Sequence, residues 1–139
     1  MQSSSTQERF SVSGDFTVTI GPSSDVVSAI PGPAIGRHVL IKQYQGPLEG
    51  NSQGEMLTAG RPAEGMASYV AIESVQGMLD QRTGGFALAH FGQMSAGGEA
   101  LSVNVVPGSG TGELSGLMGE MNIHRASGKH SYTFTYWFA

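Results

Sequence analysis

Hydrophobic and polar residues alternate one by one at both ends of this chain. In FSVSGDFTVTI (10–20), Phe10, Val12, Gly14, Phe16, Val18 and Ile20 share one parity, while Ser11, Ser13, Asp15, Thr17 and Thr19 share the other. A repeat of two sends successive side chains to opposite faces of an extended strand, here one apolar and one wet. In HSYTFTYWFA (130–139), Tyr132, Phe134, Tyr136 and Phe138 likewise oppose Ser131, Thr133 and Thr135, and Trp137 is the exception. Six further β-rich runs lie between, at 38–44, 54–59, 67–75, 85–91, 100–106 and 119–125, nearly all separated by glycine-bearing turns. No window of ten or more residues carries a helical stripe. Short strands with regular turns predict an all-β fold, a single eight-stranded antiparallel β-barrel over residues 1–139.

Two stretches break the rhythm. Residues 1–9 are polar and carry no strand pattern, so they are expected to form a flexible N-terminus. GPSSDVVSAIPGPAIG (21–36) holds three prolines, which excludes a central strand. It reads as a long loop in which Val26, Val27, Ile30 and Ile35 either cover a barrel mouth or pack against the outside.

VVPGSGTGELSGLMG (105–119) invites a phosphate-loop reading, which its own letters defeat. After Gly108 and Gly110 a dinucleotide fingerprint needs glycine at 113, where Glu113 stands, and no helix pattern follows. The only Gly-Lys pair, Gly128–Lys129, has Ile123 where a P-loop needs its first glycine. The glycines are read as turn residues at a barrel corner. GNSQG (50–54) matches GxSxG by letter, but a nucleophile elbow joins a strand to a helix in a far larger fold, so Ser52 is not read as a nucleophile.

Composition narrows the function classes. The charged fraction of 13% is about half the usual share, and the seven Lys and Arg are scattered, so no basic face is set up for nucleic acid. No apolar run approaches the ~20 residues of a membrane span, and the first residues lack a signal-peptide pattern, so a soluble cytoplasmic protein is expected. Cysteine is absent. The histidines, His38, His90, His124 and His130, form neither HxH nor HExxH, so neither a metal nor a cofactor is expected.

Candidate chemistry comes from parity. Tyr69, Ala71 and Glu73 share one side of their strand, and Phe86, Leu88 and His90 share a side of the next. If both sets face inward, a carboxylate, an imidazole and a phenol meet among aromatic walls. Burial penalises the charged form of each ionisable group unless Glu73 and His90 pair. Such a pair can move protons on an apolar ligand, with Glu73 and His90 as the catalytic candidates.

GPLEG, SYVAIESVQG, GGFALAHFG, VVPGSGTGELSGLMG and HSYTFTY, in that order, resemble an uncharacterised, mostly bacterial family of small proteins built on a domain of unknown function. The resemblance runs from Phe10 onward, with Tyr69, Glu73 and His90 at places typical of the family and no counterpart for the 21–36 loop. More loosely, the glycine turn and last aromatic strand are similar to those of allene oxide cyclases and plant dirigent proteins. That likeness implies an allene oxide cyclase-like barrel with an apolar interior, usually assembled as an oligomer, a dimer being the first expectation. Neither family's catalytic residues carry over.

Two functions follow. One is a barrel that binds a small apolar molecule between Tyr44, Tyr69, Phe86 and Tyr132, as an isomerase or cyclase using Glu73 and His90. The other is a non-enzymatic structural or interaction module with a packed interior. A connected cavity of about 300 Å3 or more, open at one barrel end, favours the first.

Overall fold

The computed structural model describes residues 7–26 and 29–139. The strands are β1 (Phe10–Ile20), β2 (Ser24–Asp25), β3 (Gly36–Gln45), β4 (Leu48–Arg61), β5 (Met66–Leu79), β6 (Arg82–Ser95), β7 (Gly98–Val105), β8 (Leu117–Ala126) and β9 (Lys129–Phe138). From β3 to β9 each pairs antiparallel with the next in the chain. The first half of β1 pairs with β9, from Phe10 against Tyr136 to Phe16 against His130, and its second half pairs with β3, from Asp15 against Gln45 to Ile20 against Leu40. One strand thus joins both ends of the sheet and closes an eight-stranded antiparallel barrel, as the alternation predicts.

Several strands outrun their sequence pattern. The runs at 54–59, 67–75 and 85–91 extend to 48–61, 66–79 and 82–95. The glycines that read as turns lie inside them: Gly50 faces Gly77 across β4 and β5, and Gly77 faces Gly84 across β5 and β6. A Cβ on Gly77 would stand 2.1 Å from the Glu49 carbonyl oxygen. The row therefore lets three strands coil tightly, as a small barrel requires.

The proline-bearing segment is not a lid in its described part. Ser24 and Asp25 pair with Arg37 and Gly36, prolonging the sheet beside β3. The Val26 N–H donates to the Ile35 carbonyl at 3.0 Å, and Val26, Ile30 and Ile35 are exposed. Val27 lies outside the described residues, as do residues 1–6 of the expected flexible terminus.

Inward residues pack the barrel closed at one end. Leu48, Leu79, Phe86, Leu114, Leu117, Phe134 and Tyr136 are buried there, with the Phe86 and Phe134 rings stacked at 5.8 Å. Phe16 belongs to the same buried cluster. The glycine-rich loop from Val106 to Gly116 plugs this end. It runs beside the first half of β6, where the Thr111 N–H donates to the Gly85 carbonyl at 2.8 Å, and Thr111 Oγ1 and Ser109 Oγ accept from the Gly85 and Ala87 N–H groups at 2.9 and 3.0 Å. The loop does for β6 what a neighbouring strand would do, and Leu114 seals the centre. Past the loop, β7 and β8 are joined through a single registered pair, Asn104 and Glu120.

Candidate functional site

The other end of the barrel is open. A cavity of about 820 Å3 enters it, walled largely by Val18, Ile20, Leu40, Met56, Met94 and Ile123. Its polar lining includes Lys42, Tyr69, His90, Arg125 and His130. None of the described loop residues before Gly36 lines it. A second, smaller depression of about 410 Å3 lies at the closed end around Pro47 and Asp80 and shares no residue with the first.

At the depth where cavity gives way to packed core sits a polar cluster contributed by four consecutive strands. Lys42 on β3 is registered against Ser52 on β4. Glu73 on β5 lies two residues from Ser52's partner Val75, and His90 on β6 lies two residues from Glu73's partner Leu88. Diagonal neighbours on one face are within reach of long side chains, so the stagger of the strands brings the groups together.

Glu73 is fully buried and accepts four hydrogen bonds. Lys42 Nζ donates to Oε1 at 2.9 Å and His90 Nε2 to the same oxygen at 2.6 Å, while Ser52 Oγ and the Tyr44 hydroxyl donate to Oε2 at 2.6 and 3.0 Å. Burial alone would raise the carboxyl's pKa. The His90 hydrogen bond, the Lys42 charge and the Ser52 hydroxyl outweigh it and bring the pKa down to about 2. Glu73 is thus a fixed anion rather than a proton donor. The same anion and the same burial push the Tyr44 hydroxyl far above its usual range, so Tyr44 stays a neutral donor.

The bond to Glu73 fixes the His90 tautomer: with the carboxylate ionised, Nε2 carries the proton. Nδ1 has no partner among the described residues, although the ring is buried and lines the cavity. A buried polar nitrogen without a partner is costly unless a ligand or water meets it. Lys42 also lines the cavity, so an imidazole and an ammonium share its floor above a carboxylate that orients both.

The residues named from sequence separate into three groups. Glu73 and His90 meet directly. Tyr69 lines the cavity, lying across Gly92, where a Cβ would come within 2.1 Å of its ring, and burial raises its hydroxyl pKa against the opposing charge of Arg125. Tyr44 sits beneath the floor as a support of Glu73. Phe86 and Tyr132 stand off the cavity wall: Phe86 stacks in the packed half, and the Tyr132 hydroxyl bonds the backbone of Leu48 and Gln45 at a strand corner. Their inward parity is right, but they point inside the filled half. Lys42 and Ser52 escape the sequence reading. Lys42 shares a parity with His38, Leu40 and Tyr44 that could have flagged it, and Ser52 is a hydrogen-bond donor, not a nucleophile, within the GxSxG letters. No group of three or more metal-ligating side chains occurs among the described residues. No helix among them is long and apolar enough to cross a membrane.

Fold and site together define a small antiparallel barrel, filled at one end and hollow at the other, with a buried carboxylate cluster at the boundary. Residues 12–136 match the family described as protein of unknown function (DUF3224), and the chain belongs to that family. A protein of unknown function from the same family in Shewanella oneidensis MR-1 is similar in structure, with 44% sequence identity over 95% of this chain and 99% of that one and a TM-score of 0.86. No curated protein matches the chain. Nothing in these matches carries the looser likeness to allene oxide cyclases and dirigent proteins.

Proposed function

We propose that the barrel binds a small, mostly apolar molecule in its open half and moves a proton on it, as an isomerase or cyclase would. The observation that carries this reading is the unpartnered Nδ1 of His90 on the floor of an apolar cavity of about 820 Å3, a size suited to one small organic ligand. Glu73 holds the imidazole with Nε2 protonated, which leaves Nδ1 as the base. Lys42, held by Glu73 at 2.9 Å and lining the cavity, is placed to stabilise negative charge on a ligand oxygen as the proton leaves. Atoms balance without a cofactor: Nδ1 takes a proton from the carbon between a carbonyl and a carbon–carbon double bond, the electron pair moves onto the oxygen, and as the carbonyl re-forms the double bond shifts into conjugation and its far carbon takes the proton back. Arg125, which has no ion-pair partner among the described residues, favours a ligand whose outer end is polar or anionic.

The rival reading, a wholly packed interior with function only on the surface, accounts for the closed half of the barrel and not for the hollow half.

Binding and chemistry are tested separately. Fluorescence titration with N-phenylnaphthylamine should show one saturable site, weakened at least several-fold by Met56→Trp, which fills the wall. A cyclic enone incubated with the protein in deuterium oxide should gain deuterium beside its carbonyl, and His90→Gln should abolish the gain while leaving dye binding within about twofold. A protein that binds no dye would remove the ligand reading altogether. Dye binding with no exchange by the wild type leaves a binding protein and removes the isomerase.

A further inference from the structure

The outside of the barrel has two unlike halves. On β1, β9 and β8 the outward rows are polar: Ser13, Thr133 and Asn122 form one and Asp15, Ser131 and His124 the next. On β3 to β6 the outward rows are rich in large apolar side chains, with Arg37, Glu55, Gln53 and Ser74 among them. Leu57, Val70 and Phe91 stand side by side, Val39, Glu55 and Ile72 form the neighbouring row, and Ile41 begins a third. The six apolar side chains are between 40% and 56% exposed. Alternation is therefore blurred on this half, because large apolar side chains stand on both faces, the inner ones towards the cavity and core and the outer ones covered by nothing among the described residues.

We infer that this β3–β6 face is the contact surface of a two-fold symmetric homodimer. Six large side chains about half exposed present on the order of 500 Å2 of apolar surface, at the upper end of what a monomer leaves open. With the neighbours Ala89, Gln53 and Ser74 and the exposed Arg37 and Glu55 side chains, the face reaches the ~800 Å2 per partner of a standard interface. Its charges suit a second copy. The Arg37 and Glu55 side chains lie at 3.5 Å within the patch, so the face is neutral and carries equal and opposite charges that a two-fold axis can exchange between copies. A membrane is a poorer partner for it, since it lacks a basic rim and has one aromatic residue. Two such sheets pack face to face about 10 Å apart, the spacing of a sandwich core. The cavity mouth lies at the barrel end, so pairing through the side wall leaves it open.

Sedimentation of the full chain at micromolar concentration tests this directly, with a dimer mass expected. Ile72→Glu and, separately, Phe91→Lys should each raise the dimer dissociation constant by roughly a hundredfold, the loss typical at an interface centre. Both residues are exposed, so circular dichroism and dye binding should stay as in the wild type. Thr133→Glu on the polar half should change nothing. Arg37→Glu should weaken the dimer, and adding Glu55→Arg should restore it. A wild-type monomer at these concentrations overturns the proposal, whether the face instead takes vesicles or another protein, and so does a dimer indifferent to Ile72→Glu and Phe91→Lys. The cavity reading has its own readout in dye binding, so the two can fail independently.

Discussion

Glu73 is held by what it accepts, and the consequences are measurable one side chain at a time. Removing its charge strands Lys42 in the interior, so Glu73→Gln is expected to cost about 3 kcal/mol or more of stability in urea unfolding. Adding Lys42→Met should recover much of that loss, because a buried pair is replaced by neutral groups. A single variant as stable as the wild type would show that no buried ion pair exists. Stability should also depend on pH at both extremes. Glu73 titrates near 2 in the fold against 4.5 for a free glutamate, so its contribution is complete above about pH 4.5 and is lost as pH falls towards 2. The tyrosines behave oppositely. Burial, reinforced by Glu73 at Tyr44 and by a hydrogen bond to Asp80 at Tyr136, raises their pKa values above the ordinary 10, so the unfolded chain ionises first and stability falls as pH rises past about 10. Urea midpoints should form a plateau between these limits, with Glu73→Gln flattening the acid limb and Tyr44→Phe the alkaline one. A midpoint unchanged from pH 7 to pH 2 would contradict the account of Glu73. Legibility at this scale followed solvation. Tyr69 and Glu73 share one parity of β5 and His90 shares that of Phe86 and Leu88 on β6, so position along the strand could bring them together even though the outward Val70, Ile72 and Phe91 are apolar. Lys42 shares a parity with Leu40 and Tyr44 but is easily passed over, since its outward neighbours Val39 and Ile41 are apolar and make the lysine look like the wet face.

Among the elements, those that pair regularly were readable and those that bend were not. β1 alternates over its whole length and β9 over nearly all of it, Trp137 excepted, and their edges come out within a residue of the pattern. β4, β5 and β6 were cut short in the sequence reading because glycine ordinarily ends a strand. Here Gly50, Gly77 and Gly84 lie opposite one another, where any side chain would meet backbone. Gly77→Val should therefore lower the melting temperature well beyond the effect of Gly32→Val, since a Cβ at Gly32 meets nothing within 4 Å. The 105–119 loop lacks the letters of a phosphate loop, and its work as a plug depends on contacts with β6 that no local motif announces. Leu114→Ala should cost about 2–5 kcal/mol, as expected for a fully buried leucine, and leave dye binding at the opposite end intact. Equal melting temperatures for that variant and the wild type would mean that the plug does not hold the closed end.

For the whole molecule, closure depends on the first strand meeting the last. β1 must find β9 more than a hundred residues away, and that long-range pairing places folding in the range of milliseconds to seconds. Stopped-flow refolding in microseconds would argue against a closed barrel. The eight-strand count was visible in the sequence, because a meander needs only local pairing. The division into a hollow and a solid half was not, because it follows from which inward side chains are large at each level. The meagre join between β7 and β8 bears on how a ligand of the proposed kind would enter and leave. Seam-facing amides on Gly98 to Val103 have no strand partner across the gap, and they should swap hydrogen for deuterium orders of magnitude faster than those of β5, whose ladder partners lie on both sides. Two edges that part easily make a slit in the wall, and Leu101 on one side and Ile123 on the other both touch the hollow. The residence time of a guest would then be set by how often the staves separate rather than by how tightly the floor grips.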